Sequence, residues 1–98
     1  MIIYDIEVLT VNEQLISLGR GYLNHEDTNI PQSWDMELYD TDNDNFFNNI
    51  LDKREKPIVK IGTEDGKSFI GQVLIRKLEI GPLGTTVLLT GTGPLNEV

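Results

Sequence analysis

An alternation of apolar and polar residues with a period of two runs through most of this chain, and a helical spacing interrupts it once. Because alternate side chains of a strand point to opposite faces, this alternation predicts strands with one buried face. Six segments are predicted to be extended: residues 2–8, 14–24, 34–39, 57–62, 67–80 and 85–90. The segment 67–80 carries apolar residues on both faces, which predicts either burial on both sides or a bulge that switches the buried face.

A single helix is predicted over residues 43–55. Four large apolar residues fall there on one helical stripe, namely Phe46, Phe47, Ile50 and Leu51. Asp42 or Asp44 is predicted to cap the N-terminus, and Pro57 to end the helix. Three basic residues in the predicted last turn complement the helix dipole: Lys53, Arg54 and Lys56.

Turn residues separate the predicted strands. Asn12 and Glu13 are predicted to turn the chain after the first strand. Residues 63–66 predict a hairpin turn that ends on a glycine able to adopt a positive φ, and residues 81–84 predict another turn. Residues 25–33 have no period and contain a proline, so they are predicted to be a loop.

The order of elements, βββαβββ, predicts the fold class. A single domain of 98 residues buries only about 60–65% of its unfolded surface, so one modest core is expected over residues 1–98. Such a chain best forms a small β-sandwich or open barrel of about six strands, with the helix at one edge or end. Gly19 and Gly21 predict a bulge or a close approach of two backbones within the second strand.

Composition excludes several classes of function. The chain has 16 acidic and 8 basic residues, a net charge of −8 and no cysteine. The negative charge argues against binding of nucleic-acid phosphates and against adsorption to anionic membranes, and the absence of cysteine excludes disulfides and thiolate sites. The first residues lack the pattern of a signal peptide, and no apolar run approaches the length of a membrane span. We therefore expect a soluble acidic protein that is made in the cytoplasm.

The charge is unevenly distributed along the chain. Residues 1–52 carry eleven acidic side chains and one basic, a net charge of −10, whereas residues 53–98 carry five acidic and seven basic, a net charge of +2. One interpretation is a solvated surface that maintains solubility. The other is a polar subunit whose acidic side meets the basic side of a neighbour, a head-to-tail contact that closes into rings or extends as a filament.

No constellation of reactive residues predicts an enzyme, a cofactor or a metal. The single histidine, His25, lies in the predicted polar loop and is predicted to be a surface residue. The Gly-Thr-Gly of residues 91–93 follows a strand but lacks the third glycine and the helix of a dinucleotide site, so a bend is predicted there.

Asp40, Asp42 and Asp44 match the first three acidic positions of a calcium loop. The match then fails, because Asn45 stands where the loop needs glycine and Leu51 stands where it needs a bidentate acid. A helix cap within a solvated acidic surface explains the same three residues without a metal.

Trp34, the only tryptophan, admits two interpretations. It is predicted to be a core residue that anchors the helix, and the alternative is an exposed aromatic that binds a protein partner.

From Trp34 onward the chain resembles the tail tube proteins of bacteriophages and their relatives among small tail, tube-initiator and baseplate proteins. The similarity covers about 60 of the 98 residues, and it lies in the order of its parts. These parts are Trp-x-Met-x-Leu at 34–38, a helix ending near residue 56, Asp-Gly at 65–66, Phe-Ile-Gly-Gln-Val-x-Ile at 69–75 and Leu-Thr-Gly-Thr-Gly-Pro-Leu at 89–95.

The resemblance implies a non-enzymatic virion structural protein with a flanked β-sandwich fold. Its copies would assemble into hexameric rings around a channel that conducts DNA without binding it specifically, and its partners would be itself and other tail proteins. No catalytic residue is carried over; the glycines that match the family's hairpin and terminal bend would serve backbone geometry, namely Gly66, Gly71, Gly91 and Gly93. Strand edges 2–11 and 85–90, with the acidic segment 25–45, are predicted to form the subunit contacts.

Two rival hypotheses remain open from the sequence. An acidic binding module or inhibitor would use the acidic residues of segment 26–44 to engage a basic protein surface, and a calcium-binding domain would use the three aspartates described above.

Overall fold

A computed structural model of the chain describes residues 1–26, 29 and 33–98. The elements follow in the order β1 (Ile2–Val11), β2 (Gln14–Leu15), β3 (Arg20–His25), β4 (Trp34–Thr41), α1 (Asp44–Asp52), β5 (Ile58–Thr63), β6 (Ser68–Gly81), β7 (Gly84–Gly91) and β8 (Asn96–Glu97). Most of the loop predicted at 25–33 lies outside the described residues. Within the described part of the chain, no helix is long and apolar enough to cross a membrane.

Six of the strands close into an antiparallel barrel. Each pairs with two neighbours in the cyclic order β1–β3–β4–β7–β6–β5, and β5 pairs again with β1. The short strands β2 and β8 extend β1 and β6. The predicted class, a mostly β domain of about six strands with one flanking helix, is confirmed. The sequence left a β-sandwich and an open barrel as alternatives. The strands form a barrel, and the pairing of β1 with β5 closes it.

β1 closes the barrel by serving two neighbours in turn. Its residues 2–5 pair with β3, and its residues 6–11 pair with β5. A register shift between Ile6 and Val8 lies among the pairs with β5, close to the point where the neighbour changes. Such a bulge bends and twists a strand, which carries β1 from one neighbour to the other.

The barrel interior is filled by side chains that alternate along the strands. The fully or nearly buried apolar residues are Ile6, Leu9, Val11, Ile16, Leu23, Trp34, Met36, Leu38, Phe47, Ile50, Val59, Ile61, Phe69, Val73, Ile75, Val87, Leu89 and Leu95. Burial of each large apolar side chain contributes roughly 1.5–3 kcal/mol. This cluster is therefore the main source of stability in a domain of this size.

The helix is shorter than predicted, and its ends differ from the prediction. It spans Asp44–Asp52, its N-cap is Asn43, and the cap side chain makes no capping hydrogen bond. The last turn contains no basic residue. The predicted cap by Asp42 or Asp44 is wrong because Asn43 is the N-cap, and the predicted basic last turn is also wrong. The helix ends because Arg54 adopts a left-handed φ of 53°, with its N–H bonded to Leu51 O and the next N–H bonded to Ile50 O. This pair of bonds forms a Schellman motif.

A bulge explains the apolar residues on both faces of β6. The register shifts between Ile75 and Lys77, so that Arg76 is the extra residue. Before the bulge Val73 and Ile75 face the interior, and after it Leu78 pairs with buried Val87. The second of the two predicted explanations, a switch of the buried face, is confirmed.

The predicted turns form as expected. Asn12 and Glu13 have φ values of 48° and 69°, and Gly66 has a φ of 89°. The long second strand predicted at 14–24 is instead divided into β2 and β3. Gly19 lies between them, and a side chain there would meet the Cβ of Asp40 at 2.6 Å; the predicted close approach is thereby confirmed.

Candidate docking surfaces

One outer wall of the barrel is aliphatic. Partner residues of paired strands share a face, so two cross-strand rows lie on the outside of β1, β5 and β6. The first row runs Leu15, Thr10, Lys60, Ile70, Asn96, and the second runs Val8, Gly62, Ser68. Ile58 lies on the same outer face of β5. We call Ile58, the apolar residues of the two rows and Lys60 the aliphatic wall, which therefore consists of Val8, Leu15, Ile58, Lys60, Gly62 and Ile70.

The aliphatic wall is exposed and grooved. Val8 is 47% exposed, Ile58 42% and Leu15 63%. A shallow groove of about 550 Å³ runs along part of it, lined among others by Val8, Gly62 and Ile70. Val8 leans over that glycine, since a Cβ there would meet Val8 Cγ1 at 2.5 Å. Large exposed apolar patches mark interaction sites or ligand grooves, so the aliphatic wall is a candidate docking surface.

Lys60 is the only charged side chain that lines this groove. No carboxylate lies within 4.0 Å of it in the described part of the chain, where the only ion pair joins Lys77 to Glu79 at 2.6 Å. The groove therefore combines an apolar lining with one unpaired positive charge.

A second outer wall, on β1, β3 and β4, is acidic. One cross-strand row runs from Asp5 through Tyr22 to Glu37, and another runs from Asn24 to Asp35. We call Asp5, Tyr22, Asp35, Glu37 and Tyr39 the acidic wall. None of its three carboxylates has a cation within 4.0 Å among the described residues.

Hydrogen bonds hold the acidic side chains in place. The Asn24 side-chain amide donates to Asp35 Oδ1 at 2.7 Å and to Glu37 Oε2 at 2.9 Å. The Tyr39 hydroxyl donates to Glu37 Oε1 at 2.9 Å, and this bond to a carboxylate is the main reason why the pKa of Tyr39 is raised above 10.0. The Asn24 amide thus holds the carboxylates of Asp35 and Glu37 close together. No cation among the described residues forms an ion pair with either of them.

Two aromatic rings give the acidic wall an apolar component. Tyr22 and Tyr39 contact edge to face with their centroids 6.2 Å apart, and the Arg20 guanidinium lies 5.8 Å from the Tyr39 ring centroid. Tyrosine supplies large, rigid contact area at interfaces, so this wall offers aromatic surface beside its charges.

Most of the acidic wall lies on β3 and β4 and most of the aliphatic wall on β5 and β6, and the two walls share β1. In the cyclic order β1–β3–β4–β7–β6–β5, the strand across from β4 is β5. The helix connection between these consecutive strands therefore carries the chain from one wall to the other. A single copy cannot bring its own acidic wall onto its own aliphatic wall.

The three aspartates of the calcium hypothesis do not form a common site. Asp44 begins the helix and accepts a hydrogen bond from the Thr85 hydroxyl. Asp40 adopts a φ of 57° and packs against Gly19 and Gly84, whereas Asp42 is exposed. Within the described residues no group of three potential metal ligands comes together.

Trp34 lies in the core, as predicted, and is 3% exposed. Its ring is packed against two glycines, because a Cβ at Gly91 would lie 2.3 Å from Nε1 and one at Gly71 would lie 2.6 Å from Cζ2. Its Nε1–H donates to Gly93 O at 2.8 Å. The alternative of an exposed aromatic at a partner interface is wrong, and three of the four glycines of the predicted backbone set adjoin this ring.

His25 is not a loop residue. It ends β3, pairs with Trp34 and is half-buried, and its Nε2 has no hydrogen-bond partner. The prediction of a surface histidine in a polar loop is wrong because β3 extends one residue beyond the predicted strand.

One of the two strand edges predicted as subunit contacts is not free. β7 is hydrogen-bonded to β4 on one side and to β6 on the other, so residues 85–90 have no open backbone edge. β1 differs, because its residues 2–5 pair with β3 and its residues 6–11 pair with β5, and none of them pairs with both. The contact predicted at residues 2–11 therefore stays a prediction.

Sequence reasoning missed the aliphatic wall, although one signal for it was present. Val8-Leu9 and Ile58-Val59 are adjacent apolar pairs within period-two segments. In a strand with one buried face, one member of such a pair must point outward.

No protein-family model, curated protein or solved structure matches the chain.

Proposed function

We propose that this chain is a non-enzymatic structural subunit that assembles with copies of itself into rings. The observation that carries the proposal is the presence of two exposed walls, one acidic and one aliphatic with a lysine, on one small barrel. An exposed aliphatic groove does not contribute to the solubility of a domain with net charge −8. Covering such a surface with a partner lowers the free energy of the system.

A head-to-tail contact follows from the placement of the walls. An interface between unlike surfaces repeats from copy to copy and closes into a ring when the rotation per copy allows it. This agrees with the charge segregation between residues 1–52 and 53–98.

The setting we propose is the tail of a bacteriophage virion, as a tail tube, minor tail or baseplate component made in the host cytoplasm. The resemblance of residues 34–95 to the tail tube proteins supports this setting. The net negative charge supports it as well, because a channel lined with carboxylates repels phosphates and lets DNA pass without binding.

A concentration series by light scattering, with electron microscopy of the same samples, tests the proposal. We expect rings or oligomers that grow with protein concentration, and co-expression with neighbouring virion proteins covers the case in which a partner nucleates assembly. A strict monomer in both experiments contradicts the proposal.

An acidic binding module is the second candidate function. It is favoured by the three carboxylates of the acidic wall that have no cation partner among the described residues. Replacing Asp35 and Glu37 by asparagine and glutamine separates the two functions when a foreign basic partner is captured. Loss of that partner with retained self-assembly favours the binding module.

A further inference from the structure

We infer that the aliphatic wall of one copy receives the acidic wall of the next copy, with Lys60 ion-paired to Asp35 and Glu37. This inference rests on the proposed self-assembly and names the two surfaces that meet.

Charge selects this pairing over the symmetric ones. Two aliphatic walls face to face would bring two Lys60 side chains together, and two acidic walls would bring six carboxylates together. Like charges across an interface cost several kcal/mol, whereas opposite charges fix the register and speed association. Only the contact of unlike walls places a carboxylate pair against the single cation of the groove.

The geometry of the charged groups suits an interface. Asp35 and Glu37 are already held by the Asn24 amide at 2.7 and 2.9 Å. Little side-chain entropy is therefore lost when a cation binds them, which lowers the cost of association. Lys60 in turn is flanked in its row by Thr10 and Ile70 and lines the mainly apolar groove. A partner that covers the groove also shields this cation from water, which strengthens an ion pair.

The remaining surfaces are complementary in kind. The edge-to-face pair of Tyr22 and Tyr39 is a rigid aromatic ledge beside the carboxylates. The groove between Val8 and Ile70 is mainly apolar and open. In the proposed contact the Tyr22 and Tyr39 rings of one copy enter the apolar groove of the next copy, beside the charge pair. Buried aromatic residues of this kind are typical of interface hot spots.

A charge-swap experiment tests the contact. Lys60→Glu makes the groove acidic, and Asp35→Lys weakens the negative charge of the opposite wall and adds a cation to it. We expect each variant alone to associate at least about tenfold more weakly than the wild type. An equimolar mixture of the two should recover assembly, because the lysine of one variant then meets the glutamate of the other. The matched controls are Lys53→Glu and Asp52→Lys, which make the same charge changes at exposed positions away from both walls; both should assemble like the wild type.

The outcomes separate this inference from the proposed function. If the wild type assembles and Lys60→Glu assembles equally well, or if the mixture of folded variants stays dissociated, the pairing of walls is wrong and self-assembly stands. If the control variants associate as weakly as the two test variants, net charge alone causes the effect, and the pairing of the walls is wrong. A wild type that stays monomeric, or one whose Lys60 surface binds only a foreign acidic protein, overturns both. Far-ultraviolet circular dichroism of each variant establishes that it is folded.

Discussion

Replacing Gly91 by alanine tests the packing around the only tryptophan. A Cβ at this position would lie 2.3 Å from Trp34 Nε1, so the ring must move by about 1 Å before the contact becomes an ordinary one. The ring has little space, because Gly71 lies close to its other atoms and Gly93 O holds its N–H at 2.8 Å. Overpacking costs about 1–3 kcal/mol and a weakened hydrogen bond about 1 kcal/mol more. We therefore expect Gly91→Ala to lower the free energy of unfolding by about 2–4 kcal/mol, a large share of the ~5–15 kcal/mol that stabilises a typical domain.

Gly93→Ala is the matched control in the same bend. No atom lies within 4 Å of a Cβ built at Gly93, so its stability should stay within about 0.5–1 kcal/mol of the wild type. Urea denaturation followed by Trp34 fluorescence measures both variants, and the signal comes from one residue because the chain has one tryptophan. Gly91→Ala with wild-type stability, or equal losses in the two variants, would refute the packing described above.

Other expected outcomes depend on single features of the fold. Arg54→Gly should raise the free energy of unfolding by about 1 kcal/mol, and with it the thermal midpoint, because the φ of 53° at this position strains any residue with a Cβ. Arg54→Ala keeps that strain and should not raise the midpoint. Phe47→Ala, which empties a fully buried position on the helix, should cost about 3–5 kcal/mol in chemical denaturation. The raised pKa of Tyr39 means that its neutral form stabilises the fold fully below pH 10.0, and that this contribution is lost as the pH rises through the folded-state pKa. Glu37→Gln should lower that pKa in an NMR titration of the tyrosine rings, and an unchanged value would contradict the assigned hydrogen bond. Calcium and a chelator should give the same melting midpoint, whereas a rise with calcium would restore the calcium hypothesis.

Local patterns were sufficient to predict the elements. The strands predicted at 67–80 and 85–90 are Ser68–Gly81 and Gly84–Gly91 in the structure, because a period of two reflects the pleat of the backbone itself. The stripe that includes Phe47 and Ile50 likewise predicted the helix, and both residues are buried. The turns at Asn12-Glu13 and Gly66 followed from residue types that favour or tolerate a positive φ.

The ends of elements and the pairs of strands were harder to predict. The helix ends at Asp52 because Arg54 takes a left-handed conformation. Arginine does not favour that conformation, so composition predicted a helix that continues to residue 55. The two-residue strands β2 and β8 are too short to show a period. The sequence did not predict that both edges of β7 are paired, because periodicity gives the side-chain faces of a strand and leaves open how many neighbours its backbone will have.

The residue types of both walls are visible in the sequence, as the acidic first half and the adjacent apolar pairs. Their placement around the barrel arises from the fold. β4 and β5 follow one another along the chain, yet β5 pairs with β1, about fifty residues earlier, and this pairing places it across from β4. Strand order in a barrel is selected by hydrogen-bond register and core packing between distant segments. A local pattern contains no information about such distant partners, and so the position of Lys60 opposite Glu37 emerges only when the barrel closes.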